Sequence, residues 1–224
     1  MGGGSVGAGG RPSTAPSTTP PSTTPTTAPP STAPPSSAAP ADALARLRPI
    51  ARTRPGTYER SAFGSSWADV DGNGCNQRDD VLLRDAVPAS ARTAQQGRCD
   101  HDVLAGSWVD PYTGRRLTFT DLKAPDQAQA IQIDHVVPLS EAWASGADRW
   151  SEEQRRTFAN DLDNLLAVDG PTNASKSDGD PAAWRPRKGY QCAYATRWIT
   201  VKSRYDLGAD ASEVAALRQM LDYC

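Results

Sequence analysis

The sequence predicts an α+β fold in which helices frame a small centre of two strands and one helix. Two short segments, residues 129–134 and 164–169, are largely apolar and of strand length, and the sequence between and after them has helical spacing. Pro171 follows the second run and can begin a brief helix. Elements of both kinds in one stretch of chain indicate a mixed domain and not a helical bundle.

The elements before this centre are also mixed. A short amphipathic helix is expected at 42–48, where Pro49 stops it. Turn residues crowd the following segment, and a helical pattern begins near Arg78. Alternation of apolar and polar residues then predicts a strand at 116–122.

The elements around and after the centre are helical. Helices are predicted, in order, at 140–145, 151–158, 172–177, 190–205 and 211–223. Ser151 and Gln154 have the spacing of a capping box, which supports the second of these helices.

Residues 1–41 have the composition of a disordered low-complexity linker, and residues 42–224 are expected to form the folded domain. The linker consists almost entirely of Gly, Pro, Ser, Thr and Ala, with Arg11 as its one charged residue. Such a segment cannot bury enough apolar surface to offset its chain entropy. The remainder is long enough for one hydrophobic core.

The folded part is slightly acidic. The chain has 24 Lys and Arg against 26 Asp and Glu, and Arg11 lies in the linker, which leaves 23 against 26, a net charge of −3. This balance excludes a protein that coats duplex DNA tightly, because basic residues that neutralise phosphates supply most sequence-independent affinity. An enzyme that engages nucleic acid transiently remains compatible with it.

The four cysteines indicate an oxidising compartment. Cys75, Cys99, Cys192 and Cys224 are even in number and lack the paired spacing of a zinc site. Of three pairings, we favour Cys75 with Cys99 and Cys192 with Cys224, because these are nearest in sequence. Each disulfide would contribute about 3.5 kcal/mol. The alternative is a set of buried free thiols in a cytosolic protein.

Export is thus inferred from the cysteines. The first ten residues lack the basic region and apolar run of a secretion signal. The sequence also lacks an uninterrupted apolar stretch of 18 residues that could span a membrane.

The strongest chemical signal is the dipeptide Asp134-His135, which Asn164, Asn173 and Lys176 follow later in the chain. Carboxylate and amide oxygens suit a hard cation such as Mg²⁺, and an imidazole with an ordinary pKa of about 6.5 is basic at neutral pH. Hydrolysis of a phosphodiester needs such a cation, a base for water and a donor that steadies the phosphate.

Asp134 and His135 must meet a geometric condition to share one site. Adjacent residues of a regular strand point to opposite faces, so the strand has to end or bulge at this dipeptide. Pro138 favours such an ending, because proline cannot donate to a sheet ladder.

The segments DHVVPLS, NDLDNLL and NASKSD resemble the HNH nuclease family, whose ββα-metal (His-Me finger) fold carries the base on its first strand. A longer series resembles more closely the exported actinobacterial HNH endonuclease family proteins, which are related to the C-terminal domain of modification-dependent (GmrSD-type) restriction endonucleases. The series comprises DGNGCNQRDDVLLRD, GSWVDPYTG, IDHVVPLSEAWASGA, FANDLDNLLAV, KSDGDPAAWRP and CAYATRWITVK. It spans nearly all of residues 67–202.

Position by position, the resemblance implies a one-metal site. Asp134 would be a metal ligand, and His135 would be the general base that deprotonates the attacking water. Asn164 would hold the base-bearing loop and orient the imidazole. Asn173 would be the second metal ligand through its amide oxygen, and Lys176 would face the phosphate. The implied cofactor is Mg²⁺ or another divalent cation such as Mn²⁺.

Each assignment has a plainer alternative. Asn164 could cap a turn before its strand, and Asn173 could be a helix N-terminal residue after Pro171. Lys176 could lie on a solvated face. Asp178 is a weaker candidate, since it could equally serve as a hydrogen-bond partner at a helix end.

A second candidate metal site lies upstream. Asp69, Asp71, Asn73 and Asp80 fall at positions 1, 3, 5 and 12 of the calcium-loop template, with Gly74 at position 6. The template prefers Glu at position 12, and no paired second loop follows. One hypothesis is a structural Ca²⁺, and the other is a turn held together by Asp and Asn side chains.

The sequence therefore predicts a monomeric, secreted, divalent-metal-dependent endonuclease that hydrolyses phosphodiester bonds of nucleic acid, with DNA as the expected substrate. The competing hypothesis is a non-catalytic extracellular interaction module that is stabilised by disulfides and by Ca²⁺ bound in the upstream loop. The acidic balance and the calcium-like loop support that second hypothesis.

Overall fold

The structure is a computed structural model that describes residues 38–51 and 56–224. Most of the predicted linker therefore lies outside the described residues. The first described helix, α1 (Ala38–Arg46), begins four residues before the helix that was predicted at 42–48. The described chain contains both helices and antiparallel strands, which confirms the α+β class.

The strands are β1 (Arg92–Gln96), β2 (Cys99–Val109), β3 (Arg116–Phe119), β4 (Ile131–His135) and β5 (Leu165–Asp169). The helices after α1 are α2 (Gln77–Asp85), α3 (Pro125–Ala130), α4 (Leu139–Ser145), α5 (Glu152–Ala159), α6 (Gly170–Lys176), α7 (Lys188–Arg204) and α8 (Ala211–Leu221). Short 3-10 turns occupy Arg60–Phe63, Ala147–Arg149 and Leu162–Asn164. The predictions did not include β1, β2 or α3.

The strands form two antiparallel sheets. One sheet has the order β1-β2-β3, and the other contains β4 and β5. The β4–β5 pair is regular, with Ile131 opposite Asp169 and His135 opposite Leu165. Helix α6 follows β5 and contacts both strands, so the chain builds a strand–strand–helix unit.

Side-chain caps explain where several helices begin. Asn76 precedes α2, and its side chain accepts hydrogen bonds from the backbone N–H groups of Arg78 and Asp79. Before α5, Ser151 and Gln154 form the predicted capping box. Asp169 caps α6 by accepting the N–H of Thr172. These caps satisfy N–H groups that a helix leaves unpaired at its start.

The β4–β5 pair lies between two hydrophobic clusters. Leu165 and Ala167 belong to the cluster that contains Trp108 and residues of α2. Leu166 and Val168 belong to the cluster that contains residues of α1, α4, α5, α7 and α8. All residues of β5 are consequently buried, which accounts for the unbroken apolar run from Leu165 to Val168.

The predicted strand at 129–134 begins later than expected, at Ile131. Residues 125–130 form α3 instead, with Pro125 in its first turn and helix-forming Gln and Ala residues behind it. Gly170 passes close to the junction of α3 and β4, where a Cβ atom would lie 2.4 Å from the carbonyl oxygen of Gln129. A glycine is therefore needed for α6 to pack against β4.

The favoured disulfide pairing is confirmed. Cys75 is bonded to Cys99, which joins the loop before α2 to the start of β2. Cys192 is bonded to Cys224, which joins α7 to the last residue of the chain. Both bridges tie segments that precede or follow the strand–strand–helix unit.

Candidate active site

The end of β4 opens into a cleft of about 270 Å³. The strand ends at His135 without a bulge, and Pro138 directly precedes the helix α4 that follows. The side chains of Asp134 and His135 point to opposite faces of the strand, as strand geometry requires. Both nevertheless line the cleft, because the cleft lies at the end of the strand. The lining comprises Arg60, Ile133, Asp134, His135, Pro138, Leu139, Asn173, Ala174, Ser177 and Asp178.

The imidazole of His135 is held in one orientation. Its Nε2 lies 2.8 Å from the carbonyl oxygen of Ala159. A carbonyl can only accept, so Nε2 carries the proton of the neutral ring and Nδ1 keeps its lone pair. Burial lowers the pKa of His135 to about 4, and the nearby charges of Arg60 and Lys176 act in the same direction. The ring is thus a neutral base at neutral pH.

Trp67 covers one face of this imidazole. The two rings are stacked with centroids 6.3 Å apart and planes inclined by 14°. Trp67 has a φ of 59°, an unfavourable backbone conformation for a bulky residue. The N–H of Ala68 donates to Oδ1 of Asn160 at 3.1 Å, which anchors the segment beside Trp67. The surrounding fold therefore maintains a strained residue against His135.

Asp134 is buried and has two polar partners. The hydroxyl of Tyr112 donates to Oδ2, and the ammonium of Lys176 donates to Oδ1 at 2.9 Å. Burial raises the pKa of Asp134, while Lys176 and Tyr112 oppose this shift by favouring the carboxylate. Burial also raises the pKa of Tyr112, so its hydroxyl keeps the proton that it donates.

Lys176 lies behind the cleft and not on its wall. Its side chain has no exposed surface, and Nζ donates to the backbone carbonyl of His135 at 2.9 Å as well as to Asp134. This placement differs from the expectation that Lys176 faces a phosphate. A buried ammonium requires a carboxylate and further acceptors, and the end of β4 supplies both.

Asn164 extends the strand pairing beyond the end of β4. Its side chain accepts the N–H of Val137 at 2.8 Å and donates to the carbonyl of Val137 at 3.1 Å. Its own carbonyl accepts the N–H of Val136 at 2.8 Å. The fully buried Asn164 thus fixes the backbone directly after His135, whereas Ala159 holds the imidazole.

Asn173 and Asp178 bring further oxygen atoms to the cleft. Nδ2 of Asn173 donates to Oε1 of Gln132 at 2.9 Å, which leaves the amide oxygen as the atom that can bind a ligand. Asp178 is exposed at the cleft wall. Together with Asp134, these side chains offer the hard oxygen donors that Mg²⁺ and Mn²⁺ prefer.

Three residues at this site had no signal in the sequence. Arg60 lines the cleft from a 3-10 turn far upstream, and it is one arginine among many. Tyr112 lies in a turn sequence, yet it contacts Asp134. Trp67 lies among turn residues and contacts His135. Only long-range packing brings these three side chains to the end of β4.

The upstream calcium-like residues lie in a hydrogen-bonded loop. Asp69 accepts the backbone N–H groups of Gly72 and Gly74, and Asp71 accepts that of Asn73. Among the described residues, one group of three His, Cys, Asp or Glu side chains is close enough to share a metal ion: Cys75, Cys99 and His101. Its two sulfur atoms form a disulfide and cannot act as thiolate ligands.

Comparison with known proteins identifies the family to which this chain is similar. Residues 76–220 match the family model described as "GmrSD restriction endonucleases, C-terminal domain". The chain is also similar to an "Uncharacterized secreted protein" of Arthroderma benhamiae, with 41% identity over 170 residues, which cover 75% of this chain and 76% of the relative. That relative is fungal, so it gives no support to the expected actinobacterial origin. Within the described residues, no helix combines the length and apolar character needed to cross a bilayer.

Proposed function

The chain belongs to the family of GmrSD restriction endonuclease C-terminal domains, and from this premise we propose that it is a secreted, divalent-metal-dependent HNH nuclease. The two disulfides and the secreted fungal relative support export. The antiparallel β4–β5 pair with α6 packed on it supports a ββα-metal centre.

The observation that carries this proposal is the neutral imidazole of His135 in the same cleft as two oxygen donors. Nε2 is bound to Ala159, so Nδ1 is the basic atom. Asp134 and Asn173 line the same cleft and supply a carboxylate and an amide oxygen. A base and a cation site side by side are the requirements for activating water against a phosphodiester.

The donor set fits a hard divalent cation. Each carboxylate oxygen of Asp134 accepts one hydrogen bond and retains a further lone pair, and the oxygen of Asn173 is not needed by Gln132. Asp134 and Asn173 would hold Mg²⁺ or Mn²⁺, which supplies stabilisation of negative charge on the phosphoryl and departing oxygens when bound.

The protein's own groups would carry the remaining chemistry. Nδ1 of His135 accepts a proton from a water molecule, and the resulting hydroxide attacks phosphorus in line with the departing 3′ oxygen. The P–O3′ bond breaks and the departing 3′ oxygen takes a proton from solvent water, which leaves a 5′ phosphate and a 3′ hydroxyl. The exposed guanidinium of Arg60, on the cleft wall, is placed to bind a phosphate oxygen.

Lys176, Tyr112 and Asn164 would act as positioning residues. Lys176 and Tyr112 hold the two oxygens of Asp134, and Asn164 holds the backbone after His135. Each fixes a group that would touch metal, water or substrate, and such support sets the precision of a catalytic site.

A cleavage assay with purified protein tests this function. Plasmid DNA, single-stranded DNA and RNA would each be incubated with Mg²⁺, Mn²⁺ or Ca²⁺, with and without EDTA. We expect nicking of DNA with Mg²⁺ or Mn²⁺, loss of nicking in EDTA, and loss in His135→Ala. Cleavage that survives His135→Ala would remove the proposed base, and EDTA that lowers only thermal stability would favour the non-catalytic module.

A further inference from the structure

Two neighbouring residues at the end of α5 hold the imidazole of His135 and the segment beside Trp67. The carbonyl oxygen of Ala159 accepts a hydrogen bond from Nε2 of His135 at 2.8 Å. The next residue, Asn160, accepts the backbone N–H of Ala68 on its Oδ1 at 3.1 Å. Ala68 follows Trp67, whose ring is stacked on the same imidazole. The end of α5 thus fixes one edge of the imidazole directly and one of its faces through Trp67.

Asn160 is itself held firmly in place. It is buried, and its Nδ2 donates to the carbonyl oxygen of Arg156 at 2.8 Å. That carbonyl belongs to the last turn of α5, where helix carbonyls have no partner within the helix. The amide nitrogen therefore binds α5, and the amide oxygen binds Ala68. Alanine at this position would bind neither group, and aspartate could not donate to Arg156.

The imidazole of His135 borders two cavities. One is the cleft of about 270 Å³ that contains the proposed metal ligands. The other has a volume of about 20 Å³, and its lining includes Trp67, Ala159 and Asn160. A space of this size is too small for a nucleotide, since a single water molecule already needs about 10–15 Å³ of such volume. Trp67 and Asn160 therefore support the ring from a side that substrate does not occupy.

Trp67 is kept against His135 in an unfavourable backbone conformation. Its φ of 59° is a value that glycine adopts readily and a bulky residue rarely does. The side chain is half-buried and packs against the hydrophobic cluster that contains Trp108. Strained residues persist only where the surrounding structure fixes them, and they are frequent at active sites. The hydrogen bond from Ala68 to Asn160 supplies such a constraint.

We propose that Trp67 and Asn160 are positioning residues for His135, a role that rests on the nuclease function proposed above. Trp67 shields one face of the imidazole from solvent and limits its rotation away from Ala159, and Asn160 holds Trp67 in place. The lone pair of Nδ1 is then presented in one orientation. A base must lie within hydrogen-bond reach of the water that it deprotonates, so loss of either residue slows the chemical step and leaves substrate binding unchanged.

Steady-state kinetics of plasmid cleavage test this role. Trp67→Gly removes the ring, and glycine adopts a φ of 59° without strain, so the turn can still form. This variant should lower kcat about 10- to 100-fold with KM nearly unchanged. Asn160→Ala should act in the same direction, and Trp67→Phe, which keeps a flat ring, should restore most of kcat. Phe119→Ala removes another half-buried ring from the same hydrophobic cluster, and as the matched control it should cleave like the wild type.

NMR of the imidazoles gives a readout that does not depend on cleavage. The chain has two histidines, so ¹⁵N-labelled histidine gives two sets of ring signals. At neutral pH the His135 ring of the wild type should carry its proton on Nε2 alone, with that proton protected from exchange by Ala159. Trp67→Gly and Asn160→Ala should lose this protection and populate both tautomers. Phe119→Ala should give the wild-type signals.

A His135 signal that stays unchanged in both Trp67→Gly and Asn160→Ala would overturn the proposal, whether or not the melting temperature falls. A raised KM with unchanged kcat would also overturn it, because it would place Trp67 in contact with substrate. If the wild type cleaves no nucleic acid, the proposed nuclease function fails, and the ring signals still decide whether these two residues orient His135.

Discussion

The ammonium nitrogen of Lys176 lies 2.9 Å from Oδ1 of Asp134, and both side chains are removed from solvent. The same nitrogen binds the backbone carbonyl of His135. One buried cation thus holds both residues of the dipeptide at the end of β4. A pair of this kind links the stability of the fold to the geometry of the cleft.

Lys176→Met should lower the free energy of unfolding by about 3–5 kcal/mol, because it leaves the Asp134 carboxylate buried without its counter-charge. Urea unfolding at neutral pH in EDTA measures this loss. The double variant Asp134→Asn with Lys176→Met is the control, and it should lose less than the sum of the single variants. Strictly additive losses would mean that the two groups do not depend on each other.

Asn164→Ala should destabilise the protein by about 2–4 kcal/mol, because both the N–H and the carbonyl of Val137 lose a buried partner. Asn164→Asp retains an acceptor for the N–H but has no donor for the carbonyl. In this variant a carboxylate oxygen would face the carbonyl oxygen of Val137 and repel it, so we expect Asn164→Asp to be destabilised as well. If Asn164→Ala unfolds like the wild type in urea, the segment after β4 has another anchor.

The stability of the metal-free protein should fall with acid through His135. In the folded protein the pKa of His135 is about 4, below the ordinary value of about 6.5. The stability that depends on a neutral His135 is therefore fully present above pH 6.5 and is lost as the pH falls through 4. The full loss corresponds to about 3 kcal/mol. His135→Gln can still donate to Ala159 and does not titrate, so its unfolding free energy in EDTA should depend less on pH between 6.5 and 4. Parallel curves for both proteins would contradict the depressed pKa.

Arg60→Ala should slow cleavage about 10- to 100-fold, because a hydrogen bond to a charged phosphate contributes about 1.5–3 kcal/mol. Arg60 is exposed, so the melting temperature should hardly change. Arg116→Ala on β3 removes another exposed arginine and is the control for net charge. Equal rates for both variants in the plasmid assay would place the phosphate elsewhere.

Local signals in the sequence predicted most of the helices and both strands of the β4–β5 pair, but not α3. Apolar periodicity located β5 and the helices α4, α5, α7 and α8, and Ser151 with Gln154 marked the start of α5. The eleven residues of β2 were not predicted, because Asp100, His101 and Asp102 interrupt their apolar pattern. This strand is stabilised by neighbours on both sides, and Asp102 pairs with Lys123 at 2.6 Å. Such partners are distant in sequence.

The sequence by itself determined the order of strand, strand and helix, favoured the disulfide pairing that the structure has, and indicated that Asp134, His135 and Asn173 belong to one site. Periodicity, capping and cysteine spacing are properties of neighbouring residues, so they are visible in the chain. The tertiary structure alone decided that Lys176 is buried and that Arg60, Tyr112 and Trp67 reach the same dipeptide. Those contacts depend on how separate elements pack across the β4–β5 pair, which no local pattern specifies.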